Sequence, residues 1–269
     1  KGCNLRCRWC HNPETWSPLK QLQHIPSRCM ECHTCRSVCR YDVFSSGEGP
    51  LELDRESCIL CGDCVENCPG EALSIVGREL TAEDAAAELL SDKVFFETAG
   101  GGVTISGGEP LMQAEFCREV LEICKNEDVH TAIETNLTGS RQVISELSDY
   151  VDLWMCDLKI YDSAKHKEWT GAGNEIIKEN IARLAMSGAA LTVRTPVIPG
   201  VNDDENEIGK ICGFLSSVHG NIVYELLPFH TLGFEKYGNL GMRNPMNGTR
   251  DLDIAVLERL KRIPEQYGF

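Results

Sequence analysis

No stretch of this sequence approaches the roughly 20 consecutive apolar residues that a membrane-spanning helix needs, and nothing at its start reads as a targeting segment. A soluble, cytoplasmic protein without a membrane partner is therefore expected. Basic residues are scarce, with 26 Lys and Arg against 41 Asp and Glu in 269 residues and a formal net charge of −15. Such a balance repels phosphate backbones, so no nucleic-acid partner is expected. The features of a secreted disulfide framework are missing too, because the chain is long, lacks a signal peptide and has an odd number of cysteines, 15. With 42% apolar residues it can bury a core of its own, and the thiols need another explanation than cross-linking.

What is there is a concentration of cysteine: eleven fall between residues 3 and 68, and only Cys117, Cys124, Cys156 and Cys212 lie beyond. Ligands in a reducing compartment explain that clustering. The later four read as small buried hydrophobes, Cys117 and Cys124 standing seven apart on one helix.

From Thr81 onward, β-branched stretches alternate with amphipathic ones. Strands are expected at 103–106, 130–135, 152–157, 191–195 and 222–227, with helices at 81–91, 113–125, 140–148, 174–187, 203–218 and 250–262. Repeated βα units imply an α/β fold with a parallel sheet, open or curled into a barrel. Residues 23–77 break the rhythm, dominated by Cys, Gly, Pro and polar side chains. They read as an inserted small domain between a core segment at 1–22 and the remaining core at 78–269. With few large apolar residues, that insert would draw its stability from bound metal.

Within the insert, Cys29, Cys32, Cys35 and Cys39 follow the spacing CxxCxxCxxxC, and Cys58, Cys61, Cys64 and Cys68 repeat it with Pro69 after the last. This is the two-cluster ferredoxin signature, in which the fourth Cys of each run ligates the other cluster. The expected sets are Cys29, Cys32 and Cys35 with Cys68, and Cys58, Cys61 and Cys64 with Cys39. Structural zinc is the competing reading, but it usually takes two separated CxxC pairs and fits these triplets poorly. The remaining trio, Cys3, Cys7 and Cys10, has no fourth ligand nearby. A cubane on three thiolates leaves one iron open, which is where metal chemistry on a substrate takes place.

The CxxxCxxC spacing with Trp9 inside it, followed by SGGEP at 106–110, resembles the radical S-adenosylmethionine (SAM) superfamily. The chain as a whole is similar to the glycyl-radical enzyme activating enzymes, through CNLRCRWCHNPE, the ferredoxin-type runs, TISGGEPLMQ, HTAIETN, MCDLK, VRTPVIPGVND and ELLPFH. That resemblance implies a partial (β/α)6 barrel with a ferredoxin-like α+β insert. In the family a first strand precedes the cluster loop, so the resemblance also implies that this chain lacks the first barrel strand.

In parallel α/β folds the site lies at the C-terminal ends of strands. The polar residues expected there are Ser106 to Glu109, Glu134 and Thr135, Asp157 and Lys159, Arg194, and His230. The resemblance implies that this rim holds SAM. Ser106, Gly107, Gly108 and Glu109 would meet its amino group, and Glu134 would accept from the ammonium. Lys159 and His230 would donate to the carboxylate, and Trp9 and His11 would contact the adenine side, with Arg194 alongside. It further implies a monovalent cation on Glu134, Thr135, the Met155 carbonyl and Asp157.

The function so implied is an anaerobic oxidoreductase. One electron passes from the reduced [4Fe-4S] cluster on Cys3, Cys7 and Cys10 to SAM, and the resulting 5′-deoxyadenosyl radical takes a hydrogen atom from a glycine of a glycyl-radical enzyme. By the same resemblance, activases of pyruvate formate-lyase lack the insert, so a decarboxylase, dehydratase or lyase partner is favoured. Three [4Fe-4S] clusters, flavodoxin or ferredoxin as electron donor and a monomeric enzyme complete the expectation. A radical SAM enzyme acting on a small molecule or peptide, and a ferredoxin-like electron carrier, are the two competing functions.

Overall fold

A computed structural model describes residues 1–45 and 51–269. After the first cysteine loop, β1 (Gln21–His24) leads to two short helices, α1 (Thr34–Val38) and α2 (Asp63–Glu66), and then to β2 (Leu73–Val76). β2 runs antiparallel to β1, with Gln21 opposite Val76 and His24 opposite Leu73. The boundary expected between residues 22 and 23 thus falls inside a strand. Little apolar surface is buried here: Leu22, Val43, Phe44 and Leu73 pack around Cys35, Cys39, Cys58, Cys64 and Cys68. Cys64 is itself buried in this small core, and the other four cysteines are partly buried against it.

In the rest of the chain one or two helices separate successive strands. In order come α3 (Ala82–Leu90), α4 (Lys93–Ala99), β3 (Gly102–Ile105), α5 (Ala114–Asn126), β4 (His130–Thr135), α6 (Arg141–Ser148) and β5 (Leu153–Asp157). They are followed by α7 (Ser163–Thr170), α8 (Glu175–Met186), β6 (Leu191–Val197), α9 (Glu205–Ser217), β7 (Ile222–Pro228), α10 (Glu235–Asn239) and α11 (Ile254–Gln266). The strands lie side by side in the order β3-β4-β5-β6-β7, every neighbouring pair parallel. All five strands expected from the sequence are present, and among the described residues β3 and β7 are unpaired edges of an open sheet.

The sheet core joins Ile133, Trp154, Cys156 and Val193 from the strands to Leu121, Leu147, Ile181, Ile211 and Leu260 from the helices. Burying a side chain of this kind contributes ~1.5–3 kcal/mol, so the stack of βα units supplies its own stability. Cys117, Cys124, Cys156 and Cys212 are all buried, as expected of small hydrophobes. Caps mark where helices start: Thr81, Ser140, Asp162 and Asp204 each accept from a backbone N–H three residues on.

Beyond the short α1 and α2, three described helices have no counterpart among the expected ranges. α7 has no apolar stripe to announce it, α10 is barely more than a turn, and α4 leaves Val94 and Phe95 exposed. The last helix starts at Ile254 rather than 250 because Asp251 is drawn to the Thr231 N–H and hydroxyl, both at 2.8 Å, leaving Asp253 to cap. Among the described residues, no helix is long and apolar enough to cross a membrane.

Candidate active site

The strands deliver their C-terminal ends to one side, where the first cysteine loop folds over them. An open cleft of about 1100 Å³ lies between, lined from the loop by Cys3, Cys7, Trp9, Cys10 and His11 and from the strand ends by Ser106, Gly107, Gly108, Glu134, Thr135, Asp157, Lys159, Arg194 and His230. Residues 3 and 230 are brought together by the fold alone.

At the end of β3 the chain turns against the start of the protein. The Glu109 N–H donates to the Gly2 carbonyl at 2.7 Å, and the Gly2 N–H to the Thr15 carbonyl at 2.8 Å. A side chain at Gly108 would overlap that Gly2 carbonyl, so the close approach requires glycine. Gly107 has φ of +132° and open space where a Cβ would stand, leaving its backbone bare to the cleft.

Glu109 behaves differently from its neighbours. Its buried carboxylate accepts from the Thr135 hydroxyl at 2.5 Å, the Asn136 N–H at 2.7 Å and the Leu111 N–H at 3.0 Å, and it does not line the cleft. Burial raises its pKa, against the pull of those three donors. Expected among the SAM contacts, its side chain instead ties the end of β3 to the end of β4.

Across β4, β5 and β6 the charges form one chain. Ser106 Oγ donates to Glu134 Oε2 at 3.0 Å, Arg194 reaches Glu134 Oε1 at 2.5 Å and Asp157 Oδ1 at 3.4 Å, and Lys159 Nζ holds Asp157 Oδ2 at 2.6 Å. Strand register explains it, since Asp157 stands directly beside Arg194. Burial opposes the Lys159 charge, but Asp157 and the nearby Cys7 outweigh it and push the pKa up. For Arg194 the same contest ends the same way, with Asp157 and Glu134 overriding burial. The Arg194 guanidinium thus bridges the two carboxylates expected to hold a monovalent cation. Its Nε, and Nδ1 of His230, are buried without partners.

Comparison with known proteins decides the family. The sequence profile of the Radical SAM superfamily matches residues 1–210. The choline trimethylamine-lyase activating enzyme of Oleidesulfovibrio alaskensis is 36% identical over 275 residues, covering 100% of this chain and 89% of the relative. The trans-4-hydroxy-L-proline dehydratase activating enzyme of Clostridioides difficile is 36% identical over 272 residues, covering 100% and 90%. The chain belongs to the glycyl-radical enzyme activating enzymes of the radical SAM superfamily. It is a radical SAM activase. Among solved structures, a domain of the pyruvate-formate lyase-activating enzyme from Bacteroides vulgatus superposes with a TM-score of 0.53 at 32% identity, over 63% of this chain and 96% of that one. Streptococcus suis SuiB bound to its precursor peptide SuiA gives 0.57 over 98% of this chain and 43% of that one, and at 14% identity it shows the fold alone.

In this activase the cluster loop is held by residues that spacing did not single out. The Tyr237 hydroxyl donates to the Cys10 carbonyl at 2.9 Å, and Lys236 Nζ reaches Asn12 Oδ1 at 2.7 Å and Glu14 Oε1 at 2.8 Å. Asn136 Nδ2 donates to Asn4 Oδ1 at 3.0 Å, and Asn4 to the Thr138 hydroxyl at 2.5 Å. Asn4 and Asn136 sit within motifs the sequence offers, CNLRC and HTAIETN, whereas α10 offers no signal. His11 stacks on His230 with ring centroids 4.2 Å apart, its Nε2 against the His230 carbonyl at 2.7 Å, and Trp9 packs on Trp169.

The thiols suit a cationic cofactor. Burial pushes Cys7 up to about 12 and raises Cys3 and Cys10, so each would remain protonated without a positive group to coordinate. Among the described residues no three His, Cys, Asp or Glu side chains close on one point as a single metal ion requires. The superfamily supplies one [4Fe-4S] cluster and SAM.

Two further cavities lie among the cysteine runs at 29–39 and 58–68. One is lined by Cys29, Cys32, Cys35 and Cys68, the other by Cys39, Cys58, Cys61 and Cys64. In each, the fourth thiol comes from the other run. Thr34 Oγ1 donates to Cys32 Sγ at 3.3 Å and lowers its pKa, and the Ala72 N–H donates to Cys68 Sγ at 3.2 Å.

Proposed function

We propose that this activase cleaves SAM reductively and that the 5′-deoxyadenosyl radical removes a hydrogen atom from a glycine of a partner enzyme of the decarboxylase, dehydratase or lyase type. The observation that carries this is the meeting of Cys3, Cys7 and Cys10 with groups from five successive strand ends in one cleft. When bound, the cluster on these three thiols supplies the electron and the open iron that SAM requires.

The chain's own residues bind and orient. The cleft-lining backbone at Gly107 and Gly108, with Ser106, receives the methionine amino group, and Glu134 accepts from the ammonium. Lys159 and the unpartnered His230 Nδ1 donate to the carboxylate. Each charge of the SAM zwitterion meets a residue already held by an opposite charge, so little reorganisation is needed on binding. Trp9 and His11 form the adenine side, and Thr135 and Asp157 complete the polar floor. Arg194, rather than a monovalent cation, supplies the positive charge between Glu134 and Asp157.

The organisation that goes with this reading is a core interrupted by a ferredoxin-like insert, which starts with β1 at Gln21 rather than at residue 23 and ends before the core resumes at 78. The two four-thiol cavities support one [4Fe-4S] cluster each, passing electrons from flavodoxin or ferredoxin to a monomeric enzyme. The insert, and the decarboxylase, dehydratase and lyase activating enzymes among the relatives, favour these partner types.

The test is anaerobic incubation of the reconstituted protein with SAM, reductant and candidate glycyl-radical enzymes, followed by EPR and assay of 5′-deoxyadenosine. A glycyl radical on the partner, formed with stoichiometric 5′-deoxyadenosine, is expected. Turnover of a small substrate in the absence of any protein partner would overturn the proposal.

A further inference from the structure

Strand β1 presents two side chains to the interior of the insert, and they differ in kind. Leu22, 4% exposed, lines the cavity of Cys39, Cys58, Cys61 and Cys64, while His24, two residues on and 8% exposed, lines the cavity of Cys29, Cys32, Cys35 and Cys68. The alternation of a strand puts both on one face, one beneath each cavity. Nε2 of His24 is buried and has no hydrogen-bond partner. A buried imidazole nitrogen left unpaired in this way is costly unless a group bound in the cavity pairs with it. The cavity it lines is walled also by four cysteines, two of whose sulfurs already accept hydrogen bonds, Cys32 from Thr34 and Cys68 from the Ala72 N–H.

We infer that His24 donates a hydrogen bond from Nε2 to sulfur of the cluster held by Cys29, Cys32, Cys35 and Cys68, and thereby makes that cluster the more readily reduced of the two in the insert. The inference rests on the two-cluster reading of the insert proposed above. Its physical basis is that the reduced cluster carries one more negative charge, so a fixed donor stabilises it more than the oxidised form. Leu22 offers the other cluster no such donor. The pair are inequivalent because of one residue of β1, and His24 acts as a positioning and tuning residue rather than a catalytic one.

The experiment is an EPR-monitored redox titration of the full-length, iron-loaded protein, with the catalytic cluster identified by its response to added SAM. The wild type should show two SAM-insensitive steps at different potentials. His24→Leu should move the higher step down and leave the lower one in place, and His24→Gln, which keeps a donor, should restore most of the shift. Leu22→His should raise the lower step. If His24→Leu loses its iron, His24→Met tests the same loss of donor. About twelve irons per chain with both steps unmoved in the variants would overturn the inference alone. About four irons per chain in the wild type would overturn the two-cluster reading on which it rests.

Discussion

The Tyr237 hydroxyl donates to the carbonyl of Cys10 at 2.9 Å, tying a helix near the end of the chain to the first cysteine loop near its start. The ring is 1% exposed and meets Trp16 edge-on, with centroids 5.8 Å apart. Tyr237→Phe removes only the hydrogen bond and should cost ~1 kcal/mol, a fall in Tm of about 2–4 °C. Tyr237→Ala also opens a cavity, should cost ~3–5 kcal/mol, and should speed iron loss from the SAM-responsive cluster on exposure to chelator.

Two adjacent glycines should respond differently to a methyl group. In Gly108→Ala the new Cβ meets the Gly2 carbonyl, and the cost should reach or exceed the upper end of the ~1–3 kcal/mol typical of overpacking. Gly107→Ala meets nothing, so only its positive φ is strained, at ~1–3 kcal/mol. Thermal unfolding separates the two, and the Gly107 variant should fold yet bind SAM more weakly because the methyl stands in the cleft.

Arg194 neutralises two carboxylates at once, and its removal leaves Asp157 with Lys159 alone and Glu134 with no ion-pair partner among the described residues. Arg194→Met should weaken SAM binding by at least about tenfold, ~1.4 kcal/mol. Arg194→Lys should recover only part of this, because both carboxylates are reached by the terminal Nη2 and a lysine side chain ends one atom short of it. Titration of the SAM-induced change in the EPR signal measures the effect directly.

The crossed ligand sets of the insert make a counter-intuitive forecast. Cys39→Ala should disable the same cluster as Cys58→Ala, and Cys68→Ala the same cluster as Cys29→Ala, although each pair is split between the two runs. Redox titration of the surviving cluster should therefore give one potential for the first pair and another for the second. Pairing by run instead would contradict the geometry.

At the far end of the sheet, Asp152 accepts from Lys125 at 2.5 Å and from the Thr131 N–H at 2.9 Å. Burial opposes its charge, but these donors outweigh it and hold the carboxyl below its ordinary range. A depressed folded pKa means stability that is present above the ordinary Asp value of about 3.9 and is lost as the pH falls through the folded value. Asp152→Asn should therefore show a shallower loss of stability than wild type below about pH 4, read from urea midpoints across that range. The side chain is partly exposed, so the difference should be small.

Much of the sheet is legible in the amino-acid sequence. Buried parallel strands read as runs rich in β-branched residues, and all five expected strands, His130–Thr135 to the residue, lie in the sheet. Helix α7, by contrast, has no apolar stripe, and α10 is held by what its side chains reach, Cys10, Asn12 and Glu14, rather than by any local propensity. Neither kind of helix leaves a periodic trace.

By itself the sequence determined the thiol runs, the strand ends and the polar residues placed there, because spacing and periodicity are local properties of the chain. Which of those residues pair was decided only in three dimensions. Glu134 and Arg194 are 60 positions apart and meet because β5 sets the register between β4 and β6. Glu109 belongs to the same motif as Ser106 and Gly107, yet its carboxylate turns inward because three donors from β4 and its own turn can satisfy it there. A buried polar group goes where its partners are, and the position of partners contributed by distant segments is a property of the packed chain.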